Sequence, residues 1–370
     1  MPDRLALLMF VRGRRPGPRW MEEMDAILLA AARDTLDRAV GLFDRLIVAT
    51  PDRAWGESLR DLDVDVDLDP ADTPFHFGAR LAEIVVRHRL DSVLYTGAAS
   101  APLLTRADLA SIAQAARASD SVIIANNIHS TDWAVIAPAN AVVRVADRLQ
   151  VDSALGWVVS REAGLLARVW PRSPTSLLDI DTPLDALIAV RCSGAGRKLR
   201  AAVVASKWES HRLDAVEQVL AMPDRRLTLI GRVPSWSLSL LEQKAQLWVR
   251  VFSEERGMRA SGRAAAGGVR SFVANYLGAA GPQHFFADLA AMTDAVLFDT
   301  RVVWAARNFW PDEPDRFASD LMMVDEIGES SLREFTRAAE QCPIPVLLGG
   351  HSLVSAGLWA LLENAIAGHG

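Results

Sequence analysis

The chain has 370 residues, 50% hydrophobic and 23% charged, the balance of an ordinary globular protein; it is too long for one compact core, so two domains are expected. A net charge of −6 argues against nucleic acid or an anionic membrane as the main partner, while leaving room for local basic patches. Cys192 and Cys342 are the only cysteines, which excludes a disulfide framework or a zinc quartet and fits a reducing cytoplasm.

The apolar run at residues 5–11 is followed by arginines rather than a small-residue cleavage site. It reads as a buried first strand, not a signal peptide, and no run is long enough to span a bilayer. Residues 20–43 carry helical spacing, 45–50 a strand, and 64–69 an edge strand with alternating acids. A helix over 77–90 precedes a strand over 92–97. The helix at 105–119 has Thr105 as its N-cap and Asp108 in the capping-box position. Strands follow at 121–126 and 133–138. Short Val/Ile/Leu strands alternating with helices predict an α/β fold with a mostly parallel, doubly wound sheet. A boundary falls near the glycine-rich, basic segment 192–198, giving domains at 1–192 and 199–370. Beyond it, helical periodicity covers 199–222, 236–255 and 264–279, with strands at 226–231, 294–300 and 345–350. That pattern predicts a second, α-rich α/β domain.

In open α/β sheets ligands sit beyond the carboxyl ends of the strands. The loop after the first strand holds Arg12, Gly13, Arg14, Arg15, Gly17 and Arg19 just before a helix, a composition suited to phosphate. The other reading is a solvated basic turn. The loop has neither a Walker lysine nor the dinucleotide glycine fingerprint. At 93–112 a buried strand ends in small residues, and a Pro-Leu-Leu-Thr corner opens a helix. At 177–188, Leu-Leu-Asp-Ile-Asp-Thr-Pro leads into another helix, with either Asp179 and Asp181 binding a metal or Asp181-Thr182-Pro183 capping that helix, with Pro in its first turn.

Basic loop, Pro-Leu-Leu corner, Asp-Ile-Asp-Thr-Pro corner and closing helix stand in the order that resembles nucleotidyltransferases of the nucleotide-diphospho-sugar-transferase (GT-A-like) fold. In style they are similar to molybdenum-cofactor guanylyltransferases and phospholactate guanylyltransferases, over about residues 1–192. The resemblance implies Mg²⁺-dependent transfer of a nucleotidyl group from a nucleoside triphosphate to a phosphorylated small molecule. It implies metal ligands at Asp179 and Asp181, and a substrate role for Ser100, Asn126, Asn127, Ser130 and Asp132. The chain departs from that pattern where the family carries an acid before the Pro-Leu-Leu corner. Here stand Gly97, Ala98, Ala99, Ser100 and Ala101. A non-catalytic anion-binding protein on the same fold is the alternative, as is an enzyme whose site lies in the second half.

The Asn-rich stretch 125–138 suits a polar head group, or a turn whose side chains satisfy its own backbone; His129 there reads as a surface histidine. The acids of 61–72 read as a solvated strand face. In the second half, Glu254, Glu255, Arg256, Arg259 and Arg263 surround glycines, Asp299 and Arg301 end a strand, and His351 follows Gly349-Gly350. These pieces suit a phosphate or carboxylate ligand if they converge on one pocket, and an internal Arg–carboxylate network if they do not. Eleven tryptophans together with the arginines make a homodimer contact the expected assembly.

Overall fold

A computed structural model describes residues 5–70, 73–259 and 261–368. Its internal contacts divide the chain into two compact units. The first comprises residues 1–15, 25–179 and 196–199; the second comprises 16–24, 180–195 and 200–370.

The first unit is built on a seven-stranded sheet: β1 (Leu5–Phe10), β2 (Arg45–Thr50), β3 (Asp65–Leu68), β4 (Ser92–Gly97), β5 (Val122–Ala125), β6 (Trp133–Ala137) and β7 (Leu166–Val169). The spatial order is β3-β2-β1-β4-β6-β5-β7. Only β6 runs antiparallel to its neighbours. Alternation along the strands sends side chains to both faces. Leu5, Leu7 and Met9 join the core on one face, with residues from the helices Arg19–Ala39 and Arg106–Arg117. Ala6 and Leu8 join the core on the other, with the helices Phe77–His88 and Leu155–Glu162. With helices on both faces, strands can be apolar throughout, which is why they read as continuous Val/Ile/Leu runs. The Thr105–Asp108 capping box forms as expected.

Chain order runs outward from β1 through β2 to β3, then returns to β4 on the other side. The switch point of this sheet therefore lies between the carboxyl ends of β1 and β4, where Phe10 pairs in register with Gly97.

The second unit carries β8 (Arg226–Gly231), β9 (Trp248–Ser253), β10 (Ala295–Asp299) and β11 (Val346–Gly349) in the order β11-β10-β8-β9. All its pairings are parallel. Its switch point lies between β8 and β10. The α/β prediction for both halves holds. Within the second, the helix expected over 236–255 ends at Lys244, and β9 follows. Trp248 and its neighbours are half-exposed because β9 is an edge strand, so no continuous apolar run marks it. Residues 264–279 are helical only from Phe272. The run 199–222 divides into Arg197–Ser206 and His211–Ala221.

The acid-rich strand β3 departs from a wholly solvated face. Asp65 is exposed, but Asp67 is buried and meets Arg80 at 2.7 Å, Arg87 at 2.6 Å and His88 at 2.9 Å. Burial alone would raise the Asp67 pKa; the hydrogen bonds from His88 and Arg80 and the charges of Arg80 and Arg87 outweigh it, so the carboxyl sits below its usual range.

No helix among the described residues is long and apolar enough to cross a membrane.

Candidate functional site

At the first switch point, β1 leads into the arginine loop and β4 into Gly97-Ala98-Ala99-Ser100. Ser100 forms an antiparallel backbone bridge with Asp179. Chain pairing thus brings an acid that is distant in sequence to the carboxyl end of β4. Its charge reaches the buried Tyr95 hydroxyl, which donates to Asp152 Oδ2 at 3.2 Å. Burial first, then Asp152, Asp179 and Asp132, hold the Tyr95 pKa well above its usual value.

Arg14, Arg15 and Arg19 of the loop are each paired with a carboxylate. Arg15 donates from Nε and Nη2 to Asp25 Oδ1, at 3.0 and 2.5 Å. Arg14 pairs with Asp52 at 2.9 Å, and its side chain is 63% exposed. Arg19 belongs to the second unit, where it pairs with Glu23 at 2.6 Å.

The Asn-rich turn satisfies its own backbone. Asn126, buried, accepts from the Asp132 N–H at 3.1 Å and donates from Nδ2 to Asp132 Oδ2 at 2.6 Å. Asn127 accepts from the His129 N–H at 3.0 Å. Ser130 and His129 are exposed.

The two aspartates expected to share a metal fall in different units: Asp179 in the first, Asp181 in the second. Thr182 caps the helix Pro183–Ala189, and Asp185 completes its capping box. Among the described residues, no group of three or more His, Cys, Asp or Glu is placed to hold a metal ion.

The second switch point gathers more charge. Gly231 ends β8 with φ 115°, and a Cβ there would lie 2.6 Å from Asp299 Cβ, so only glycine lets the ends of β8 and β10 close this tightly. Arg232, the next residue, grips the fully buried Asp299 carboxylate at 2.6 and 3.0 Å. Arg301 is buried and holds Asp320 at 2.7 and 2.6 Å, also donating to the Gly349 carbonyl at 3.0 Å. His351 follows β11. Its Nδ1 is buried and has no hydrogen-bond partner among the described residues. Burial, then the charge of Arg232, pushes the ring down to about 4, so it is neutral at pH 7. Trp310 lies against Arg259 and Arg316, with guanidinium carbons 5.3 and 5.2 Å from the ring centre.

Of the residues singled out in this half, Asp299, Arg301, Arg259, Arg256 and His351 bear on one another electrostatically. Glu254, Glu255 and Arg263 serve the loop's own structure. Glu254 accepts from Ser271 Oγ and the Phe272 N–H at 2.5 and 2.7 Å, and Glu255 pairs with Arg263 at 2.8 Å. Sequence reasoning missed Arg232, Arg316 and Asp320. Arg232 had a readable signal, an arginine directly after a strand-ending glycine. Asp320 had none, because it reaches Arg301 from another helix. A recess of about 550 Å³ elsewhere in the unit, lined by Trp20, Trp208, Leu184, Met322 and Met323, meets this cluster only at Asp320.

No family model matches the chain, and no curated protein matches it. Solved structures are similar to about half of it. A protein described as a nucleotide-diphospho-sugar transferase from Desulfovibrio desulfuricans G20 is 14% identical and covers 55% of this chain and 98% of its own, with a TM-score of 0.42. A cytidylyltransferase from Leptospira borgpetersenii is 14% identical, covering 55% of this chain and 94% of its own, with a TM-score of 0.40. A nucleotidyl transferase from Methanothermobacter is 21% identical, covering 50% of this chain and 95% of its own, with a TM-score of 0.38.

Proposed function

We propose that the first unit is a nucleoside-triphosphate site whose chemistry is nucleotidyl transfer to a phosphorylated small molecule. The observation that carries the reading is the Ser100–Asp179 bridge. It sets a carboxylate at the switch point, where β1 delivers the arginine loop. A phosphate oxygen of the acceptor attacks the α-phosphorus, the bond to the bridging oxygen breaks, and pyrophosphate leaves with the electron pair. Arg12 and Arg14 bind and orient the phosphates, and the small residues 97–101 leave room for them. Asp179 would hold Mg²⁺ at this corner as the protein's carboxylate, and the ion would supply charge neutralisation. Ser100, where the family pattern has an acid, gives a neutral hydroxyl in place of a second charge.

The test is a thermal-shift panel of nucleoside triphosphates with and without Mg²⁺, read alongside pyrophosphate release with phosphorylated acceptors. Saturating ligand at a hundred times its Kd stabilises by about 2.7 kcal/mol, which a melting curve resolves. The expected outcome is a metal-dependent rise in Tm, lost in Asp179→Asn and kept in Asp181→Ala. A chain that no nucleoside triphosphate stabilises would overturn the site; stabilisation without pyrophosphate release would leave binding and remove transfer.

A further inference from the structure

We propose that the carboxyl edge of the second sheet is a separate binding site for a small molecule bearing a phosphate group. Arg256 and Arg259 hold that group above the Arg232–Asp299 and Arg301–Asp320 pairs.

Four strands of one parallel sheet end here, and the loops that follow them supply the charges: Arg232 after β8, Arg256 and Arg259 after β9, Arg301 after β10 and His351 after β11. This is the crevice that open parallel sheets use for ligands, and it lies at their switch point. The bookkeeping of charge is uneven. Arg232 is matched by Asp299 and Arg301 by Asp320, each through two hydrogen bonds. Arg256 and Arg259, both solvent-exposed, form no ion pair among the described residues. Close packing around Arg259, then the charges of Arg232 and Arg301, hold its pKa below the usual arginine value, while Asp181 and Asp299 oppose them only in part. Burial and Arg301 likewise bring Arg316 down to about 10. Positive charge exceeds negative where two guanidinium groups face water.

Arg316, on the same Trp310 ring as Arg259, is a third guanidinium with no ion pair among the described residues; Asp181 offsets one of the three, which leaves a call for about two negative charges. A phosphate monoester carries about −1.5 to −2 at pH 7, with oxygens spaced for forked contact. A single carboxylate supplies half of that. Trp310 steadies Arg259 from the side. The paired aspartates have a separate role. They fix Arg232 and Arg301 in place beneath the site, so the cations do not reorganise when the anion arrives.

The site shares no residue with the nucleotide site proposed above, so the two stand or fall separately. The experiment is isothermal titration of the full chain with inorganic phosphate, pyrophosphate, glucose 6-phosphate and, as a carboxylate control, citrate. It is repeated on the Arg256→Ala/Arg259→Ala variant and on Asp179→Asn. Both arginines are exposed, so the double variant should fold, which circular dichroism checks. The expected result is binding of glucose 6-phosphate, weakened at least tenfold in the arginine variant and unchanged in Asp179→Asn. Inorganic phosphate binding as tightly as the ester would assign the site to the free ion. Citrate binding as tightly as the ester would overturn the phosphate assignment. Ester affinity unchanged in the arginine variant, or no binding to the native chain, would overturn the site.

Discussion

Asp185 shows how one side chain can be both a cap and an internal cost. Its Oδ2 accepts from the Thr182 N–H and hydroxyl, each at 2.8 Å, which fastens the start of the helix Pro183–Ala189. Its Oδ1 is buried without a partner. Burial first, and then the charge of Asp181, push the carboxyl up to about 8. The folded state therefore binds a proton that the unfolded chain releases near pH 4. The contribution is fully present below that pH and lost as pH rises through about 8. In Asp185→Asn the amide keeps the cap and cannot ionise. The variant should gain stability over the parent between pH 5 and 8, with an upper limit of about 1.4 kcal/mol per pH unit. Urea denaturation at both pH values measures it; an equal difference at each would remove the assigned titration. The proline and the Thr182 cap were legible in the sequence. That Asp185 is sealed in was not, because burial comes from Thr182, Leu184 and the β11 end meeting across distant stretches of chain.

At the scale of elements, the exposed edge strand β7 was not read at all, while the order of the buried strands and their helices came through because it rests on local period. It failed where environment replaced period. The strand β9 lies at an edge, exposing alternate residues, and its Trp-Val-Arg-Val-Phe pattern merged with the helix before it. The segment Ala139–Arg148, a run of 3₁₀ turns, carried no sequence signal at all. It matters to the packing of the helix Phe77–His88. A Cβ on Gly78 would stand 2.1 Å from the Ala146 carbonyl oxygen, so the two elements touch backbone to backbone. Helix propensity alone would favour Gly78→Ala by about 1 kcal/mol. The close approach reverses the sign, and overpacking should destabilise by about 1–3 kcal/mol. A rise in Tm for this variant would show that the contact yields instead.

At the scale of the whole molecule, the chain does not divide at one point. The second unit includes residues 16–24 and 180–195, which lie upstream of the glycine-rich segment 192–198 or within its first half. Every residue of the helix Pro183–Ala189 is buried, and the helix packs against the helix Ala356–Ala367 within that unit. A chain of residues 200–370 lacks this helix and uncovers the apolar surface it shields. It should bind a hydrophobic dye and melt without a cooperative transition, while residues 180–370 should melt more sharply. A fully cooperative 200–370 would place the boundary where composition alone puts it.

The sequence by itself determined what depends on neighbours along the chain. It set two α/β halves, the strand order in time, the arginine loop, the caps at Thr105 and Thr182, and the acidic net charge. Tertiary structure decided what depends on neighbours in space. It placed Asp179 beside Ser100, assigned Asp181 to the other unit, and brought scattered arginines into one charged cluster around Asp299. The physical reason is that period and capping act over a turn or two, whereas charge, burial and backbone pairing act across whatever the sheets bring together.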